Sequence, residues 1–109
     1  MKKILIINGH PNKESYCHAL HGAYKEGALQ AKAEIRELKL AEMTFDPNLK
    51  HGYHKRMDLE PDLIRAQNDI LWSEHILLIF PQWWGMMPAL LKGFFDRVLL
   101  PGFAFKYRE

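Results

Sequence analysis

Two short runs of large apolar residues, Ile4-Leu5-Ile6-Ile7 and Ile76-Leu77-Leu78-Ile79-Phe80, contain no polar residue and end abruptly, at Asn8-Gly9 and at Pro81. A strand with one wet face alternates apolar and polar residues, whereas an unbroken run suits a strand buried on both faces, as in a parallel sheet. Parallel neighbours need crossovers long enough to hold a helix. The sequence supplies them. Residues 15 to about 32 read as a helix, with Tyr16, Ala19, Leu20, Ala23, Gly27, Ala28 and Ala31 at three- and four-residue steps. That stripe of mostly small residues is expected to lie close against the sheet. Residues 33–40 read as a second strand, less buried and near an edge. Pro61 suits a first helical position, and Leu63, Ile64, Ala66, Gln67, Ile70 and Leu71 carry that helix towards Glu74. Pro88 starts a third helix with Leu90, Leu91, Phe94, Phe95, Val98 and Leu99 on its buried side, and Pro101-Gly102 stops it. The order β-α-β-α-β-α predicts an α/β fold with two fully buried strands and right-handed crossovers.

Residues 41–58 are irregular: Asp46-Pro47-Asn48 is a turn signal, and the stretch from His51 to Arg56 has no period. So long a loop is expected to be functional or mobile. With 109 residues the chain is one domain or less, and 48% apolar with 26% charged residues is an ordinary globular balance rather than a disordered one. A net charge of +2 does not argue for nucleic acid or a membrane surface. The single cysteine, Cys17, forms no intrachain disulfide, and the first apolar run is too short for a signal peptide or a span. A cytoplasmic location is the default expectation.

In open parallel sheets, ligands bind beyond the carboxyl ends of the strands. Two loops occupy such ends, residues 9–15 and 81–87, and they flank one crevice if the first and third strands are neighbours. The first leads into a helix N-terminus, where unpaired N–H groups favour an anion such as phosphate. Ser15 either caps the helix or binds a phosphate oxygen, and His10 either adds a donor or is solvated. Cys17 lies in the first helical turn, a place that can activate a thiol, with packing as the plainer reading. In Pro81-Gln82-Trp83-Trp84-Gly85-Met86-Met87-Pro88 the adjacent Trp residues cannot both point into one core. A ring lying on a planar ligand or a partner is one reading, and cover for the sheet end is the other. Met86-Met87 suit either a pocket lining or packing. His18 with His21, and His51 with His54, lack a completing cysteine or carboxylate for a metal set and read as surface histidines.

The stretch Gly9-His10-Pro11…Ser15-Tyr16, followed by Phe80-Pro81-Gln82-Trp83-Trp84 and by residues 88–98 with Pro101-Gly102-Phe103-Ala104, resembles the NAD(P)H:quinone oxidoreductase family of flavodoxin-like fold. The resemblance covers essentially the whole chain, least well over residues 41–58. It implies a three-layer α/β/α domain over residues 1–109 and a flavin cofactor, FAD or FMN. His10, Ser15, Tyr16 and Cys17 match the family's phosphate-binding positions; Pro81, Gln82, Trp83, Trp84 and Gly85 match its isoalloxazine-contacting segment. The implied chemistry passes hydride from NAD(P)H through the flavin to a quinone or similar acceptor. A homodimer is implied, with no nucleic acid and no membrane insertion. The alternative is a regulatory flavoprotein that docks on a potassium-efflux transporter. A flavodoxin-like sheet has five strands in the order 2-1-3-4-5; the sequence supplies three, so the fourth and fifth βα units are expected to be absent. On that expectation the third strand is an open edge, and the third helix leaves part of its Leu90, Leu91, Phe94 and Phe95 stripe uncovered.

Overall fold

The computed structural model describes residues 2–52, 54–100 and 103. The expected helix stop at Pro101-Gly102, Ala104 of the family-like stretch, and Tyr53 lie outside the described residues. The elements are β1 (Lys3–Asn8), α1 (Tyr16–Gln30), β2 (Glu34–Lys39), α2 (Pro61–Trp72), β3 (His75–Ile79) and α3 (Ala89–Val98). All three strands are parallel in the order β2-β1-β3, with Ile7 opposite both Leu38 and Leu78. None of the described helices is long and apolar enough to cross a membrane.

Side chains alternate across β1. Leu5 and Ile7 enter a core closed by Leu38, Leu63, Ala66, Leu91, Phe94 and Val98, on the face covered by α2 and α3. The opposite face, towards α1, receives Asn8, which meets His21. β1 is buried along nearly its whole length, as its unbroken apolar run predicts. β3 is not: its burial runs from exposed to intermediate, and Ile76 is 47% exposed. The reason is position, since β3 is the end strand among the described residues.

Three further expectations are corrected. Of the α3 stripe, Leu90 and Phe95 are half-buried, in line with partial uncovering, but Leu91 and Phe94 are fully buried, because Phe45, Met43 and Leu59 pack on the same core as α2. Ile64 and Leu71 of α2 are exposed; Leu63, Ala66 and Asp69 form the inward stripe instead. The small-residue stripe of α1 is largely exposed as well. The face turned to the sheet is Cys17, His21 and Lys25, one step round the helix. The polar groups beneath select that face: His21 and Lys25 both reach Glu37 of β2. Ala23, Gly27, Ala28 and Ala31 instead line a groove of about 570 Å³ floored by Ile4.

The ends of the 41–60 segment, residues 43–48 and 58–60, are held against the core. Asn48 N–H donates to Asp46 Oδ1 at 2.9 Å, closing the turn. Gly93 lets Pro47 lie on α3, since a Cβ there would meet the Pro47 carbonyl oxygen at 2.5 Å. Arg97, 1% exposed, donates to the carbonyls of Asp46 and Asp58 and to the Glu60 carboxylate at 2.6 Å. That guanidinium holds the Glu60 carboxyl below its ordinary value.

Candidate functional site

The loop after β1 starts at Gly9, whose N–H donates to the Ile79 carbonyl at 2.8 Å. Gly9 is needed here: a Cβ would come within 2.8 Å of the Leu91 side chain. A relay of short side-chain-to-backbone bonds then shapes the loop. His10 N–H donates to Asn8 Oδ1, Asn12 N–H to His10 Nδ1, and Glu14 N–H to Asn12 Oδ1, at 3.1, 2.9 and 3.0 Å. Ser15 is the N-cap of α1: its extended backbone precedes the helix and its Oγ accepts from His18 N–H at 3.4 Å. The N–H groups of Tyr16 and Cys17, in the first turn, have no carbonyl inside the helix to meet.

The loop after β3 makes a tight hairpin. Trp83 and Met86 exchange both backbone bonds, at 2.8 and 2.9 Å. The two residues between them have positive φ, +54° at Trp84 and +69° at Gly85, the signature of a type I′ turn. Gly85 adopts this freely, but a bulky residue at positive φ is strained, and such strain gathers at functional sites. Trp84 is 100% exposed and Trp83 46%, with Gln82 and Gly85 also exposed and Pro81 half-buried. Trp84 therefore covers nothing among the described residues.

The two loops meet. The His10 ring stands edge-on to Trp83 with centroids 5.5 Å apart, and edge-on to His18 at 6.5 Å. His18, which the sequence placed among surface histidines, joins this cluster. Its Nδ1 lies 2.9 Å from Ser15 Oγ, while its Nε2 is buried without a hydrogen-bond partner. Burial first, then the nearby His21, Lys39 and His10, pushes its imidazole below the ordinary value of 6.5, against an opposing pull from Glu42. The ring is thus neutral near pH 7. Tyr16 projects outward, 76% exposed. Cys17 is half-buried and its carbonyl accepts from Asn8 Nδ2 at 3.5 Å. His21 departs from expectation altogether: it is buried, not on the surface. The sequence carried one signal for His18 and His21, their i, i+3 spacing from Ser15 onward, but their partners come from other elements.

A family model described as flavodoxin-like fold matches residues 2–109. The chain belongs to that family. An NAD(P)H oxidoreductase of Haemophilus influenzae is 36% identical over 106 residues, covering 94% of this chain and 52% of that protein. Among solved structures, Smu.1420 from Streptococcus mutans UA159 is 37% identical with a TM-score of 0.80, over 97% of this chain and 57% of its own. An NAD(P)H:quinone oxidoreductase from Methanothermobacter marburgensis is 27% identical with a TM-score of 0.83, at the same coverage. The chain spans about half the length of the curated relatives it matches. Family membership agrees with the three-strand order β2-β1-β3, which brings the two loops to one edge of the sheet.

Proposed function

We propose that the protein is a flavin-dependent NAD(P)H oxidoreductase with a quinone or similar acceptor, and that its flavin lies between the β1 and β3 loops. One observation carries this reading: the His10 ring of the phosphate-type loop stands edge-on to Trp83 of the aromatic loop, with centroids 5.5 Å apart. The donor set suits a flavin phosphate. It comprises the free N–H groups of the first turn and the Ser15 hydroxyl, whose oxygen lies 2.9 Å from His18 Nδ1. The strained hairpin holds Trp84 and Gly85 out where a planar ring can lie against them. The chemistry supplied when flavin is bound is hydride transfer from NAD(P)H to the acceptor. The chain's own residues bind the phosphate, orient the ring and keep water from one face of it. The names of the relatives support NAD(P)H as reductant, and one similar structure's name supports a quinone. A second copy as partner and a cytoplasmic location belong to the same reading. The regulatory flavoproteins that dock on a transporter share these loops, and no observation among the described residues favours that alternative.

Titration with FMN and with FAD, followed by tryptophan emission, tests the site. Quenching is expected, and Ser15→Asp, which sets a carboxylate against the phosphate, is expected to weaken binding by about tenfold or more. Equal affinity of wild type and Ser15→Asp, or emission unchanged at saturating flavin, would sink the assignment.

A further inference from the structure

Beneath the first loop lie two buried polar side chains that the proposed flavin site does not itself use. Asn8, the last residue of β1, has no accessible surface, and His21 of α1 has 1%. Buried polar groups are unfavourable unless every hydrogen bond is made. The bonding pattern here is single-valued. Asn8 Oδ1 accepts from His10 N–H at 3.1 Å, which fixes the orientation of the amide. Asn8 Nδ2 therefore points at the Cys17 carbonyl, 3.5 Å away, and at His21 Nδ1, 3.3 Å away. His21 Nδ1 must then carry the lone pair, so the proton sits on Nε2 and is donated to Glu37 Oε1 at 2.8 Å. Lys25 Nζ completes the chain on Glu37 Oε2 at 3.2 Å.

We infer that Asn8 and His21 are positioning residues for the flavin-phosphate loop, acting through this one buried chain from Glu37 of β2 to His10 and Cys17. The inference rests on the flavin reading given above. His10 N–H and the Cys17 carbonyl bracket the 9–17 loop, and Asn8 holds both ends at once. The contacts from Asn12 and Glu14 stay within the loop. Without Asn8 the loop keeps its local shape and its Ser15 cap but loses the side-chain link from the end of β1 to the Cys17 carbonyl and, through His21, to β2. A cradle of N–H groups binds phosphate only when held within a fraction of an ångström of the right geometry, and such precision comes from supporting residues behind it. Neither Asn8 nor His21 touches the ligand in this arrangement, so their effect passes through backbone placement.

Comparing phosphate-bearing flavins with riboflavin, which has the same ring and no phosphate, isolates that effect. In wild type, FMN and FAD should bind more tightly than riboflavin. His21→Leu, of similar volume, and Asn8→Ala should each weaken FMN and FAD by about tenfold while leaving riboflavin within about twofold. His21→Gln, which keeps one acceptor and one donor, should restore most of the loss. Should the Leu variant fail to fold, Glu37→Leu reads the chain from its outer end, with about a threefold loss for FMN and FAD and none for riboflavin. A purely structural role predicts equal losses for all three flavins, and that result overturns the inference. So does a wild type that binds FMN and riboflavin equally well. A wild type that binds no flavin defeats the flavin reading itself, whereas tight FMN binding undiminished in the variants defeats only the positioning role.

Discussion

Beneath α2 and α3 the sheet meets Leu63, Leu91, Phe94 and Val98, all without accessible surface; beneath α1 it meets Cys17, His21 and Lys25. Each large side chain on the first face contributes about 1.5–3 kcal/mol by leaving water. The hydrogen bonds on the second face contribute about 1 kcal/mol each, after losses to solvent. Apolar packing from the helices is thus concentrated on one side of the sheet, while polar links join α1 to the other, and the candidate site lies at the strand ends between them. The difference also shows in the glycines of the two helices. Gly93 in α3 is filled by Pro47, while Gly27 in α1 faces open space. Regions with few apolar contacts open at lower free energy, and binding loops are drawn from them.

The largest test of this division is Arg97→Met. It keeps the length of the side chain but strips the two carbonyls and the Glu60 carboxylate of their buried partner. A loss of about 3–5 kcal/mol is expected in denaturant unfolding; a loss no greater than that of a surface residue would show that the 41–60 segment is not part of the core side. A smaller effect is expected on the α1 side, where Glu37→Gln should lose about 1 kcal/mol at neutral pH. Burial alone would raise the Glu37 carboxyl, but the hydrogen bonds from His21 and Lys25 outweigh it and hold the group below its usual 4.5. A carboxyl lowered in the folded state stabilises fully above its unfolded value, and the contribution is lost as pH falls through the folded one. The gap between wild type and Glu37→Gln should therefore be level above pH 4.5 and close only below it. A gap that persists unchanged into strong acid would mean that Glu37 is not held by its partners. Smallest is Gly27→Ala, with nothing within 4 Å of the new Cβ. Helix propensity alone should then raise stability by about 0.5–1 kcal/mol. A decrease in melting temperature would show that the groove along α1 is occupied in solution.

Much of this architecture was legible in linear order. The unbroken run from Ile4 to Ile7 marked the central strand because a strand between two neighbours, covered on both faces, has no use for a polar residue. The run at β3 looked the same, but composition alone does not record which neighbours stand beside a strand; β3 is partly exposed at the end of the described sheet, in line with the open-edge expectation rather than with full burial. Pro61 and Pro88 marked the starts of α2 and α3 because a missing N–H does no harm in a first turn. Ser15 announced its cap by the same local chemistry. The α1 stripe was misread because small residues at helical spacing suit a sheet contact and an open groove equally well.

The sequence by itself determined the parallel α/β class, the order of elements and the two loops that carry the family-like residues, because strand burial, helix starts and turns are set by neighbours along the chain. Only the tertiary structure decided that His10 meets Trp83, that Arg97 anchors a loop some fifty residues earlier at Asp46, and that His21 is a buried link between Asn8 and Glu37. Those outcomes depend on which side chains from distant segments share a space too dry to leave a polar group unpaired, and no local pattern of residues encodes that.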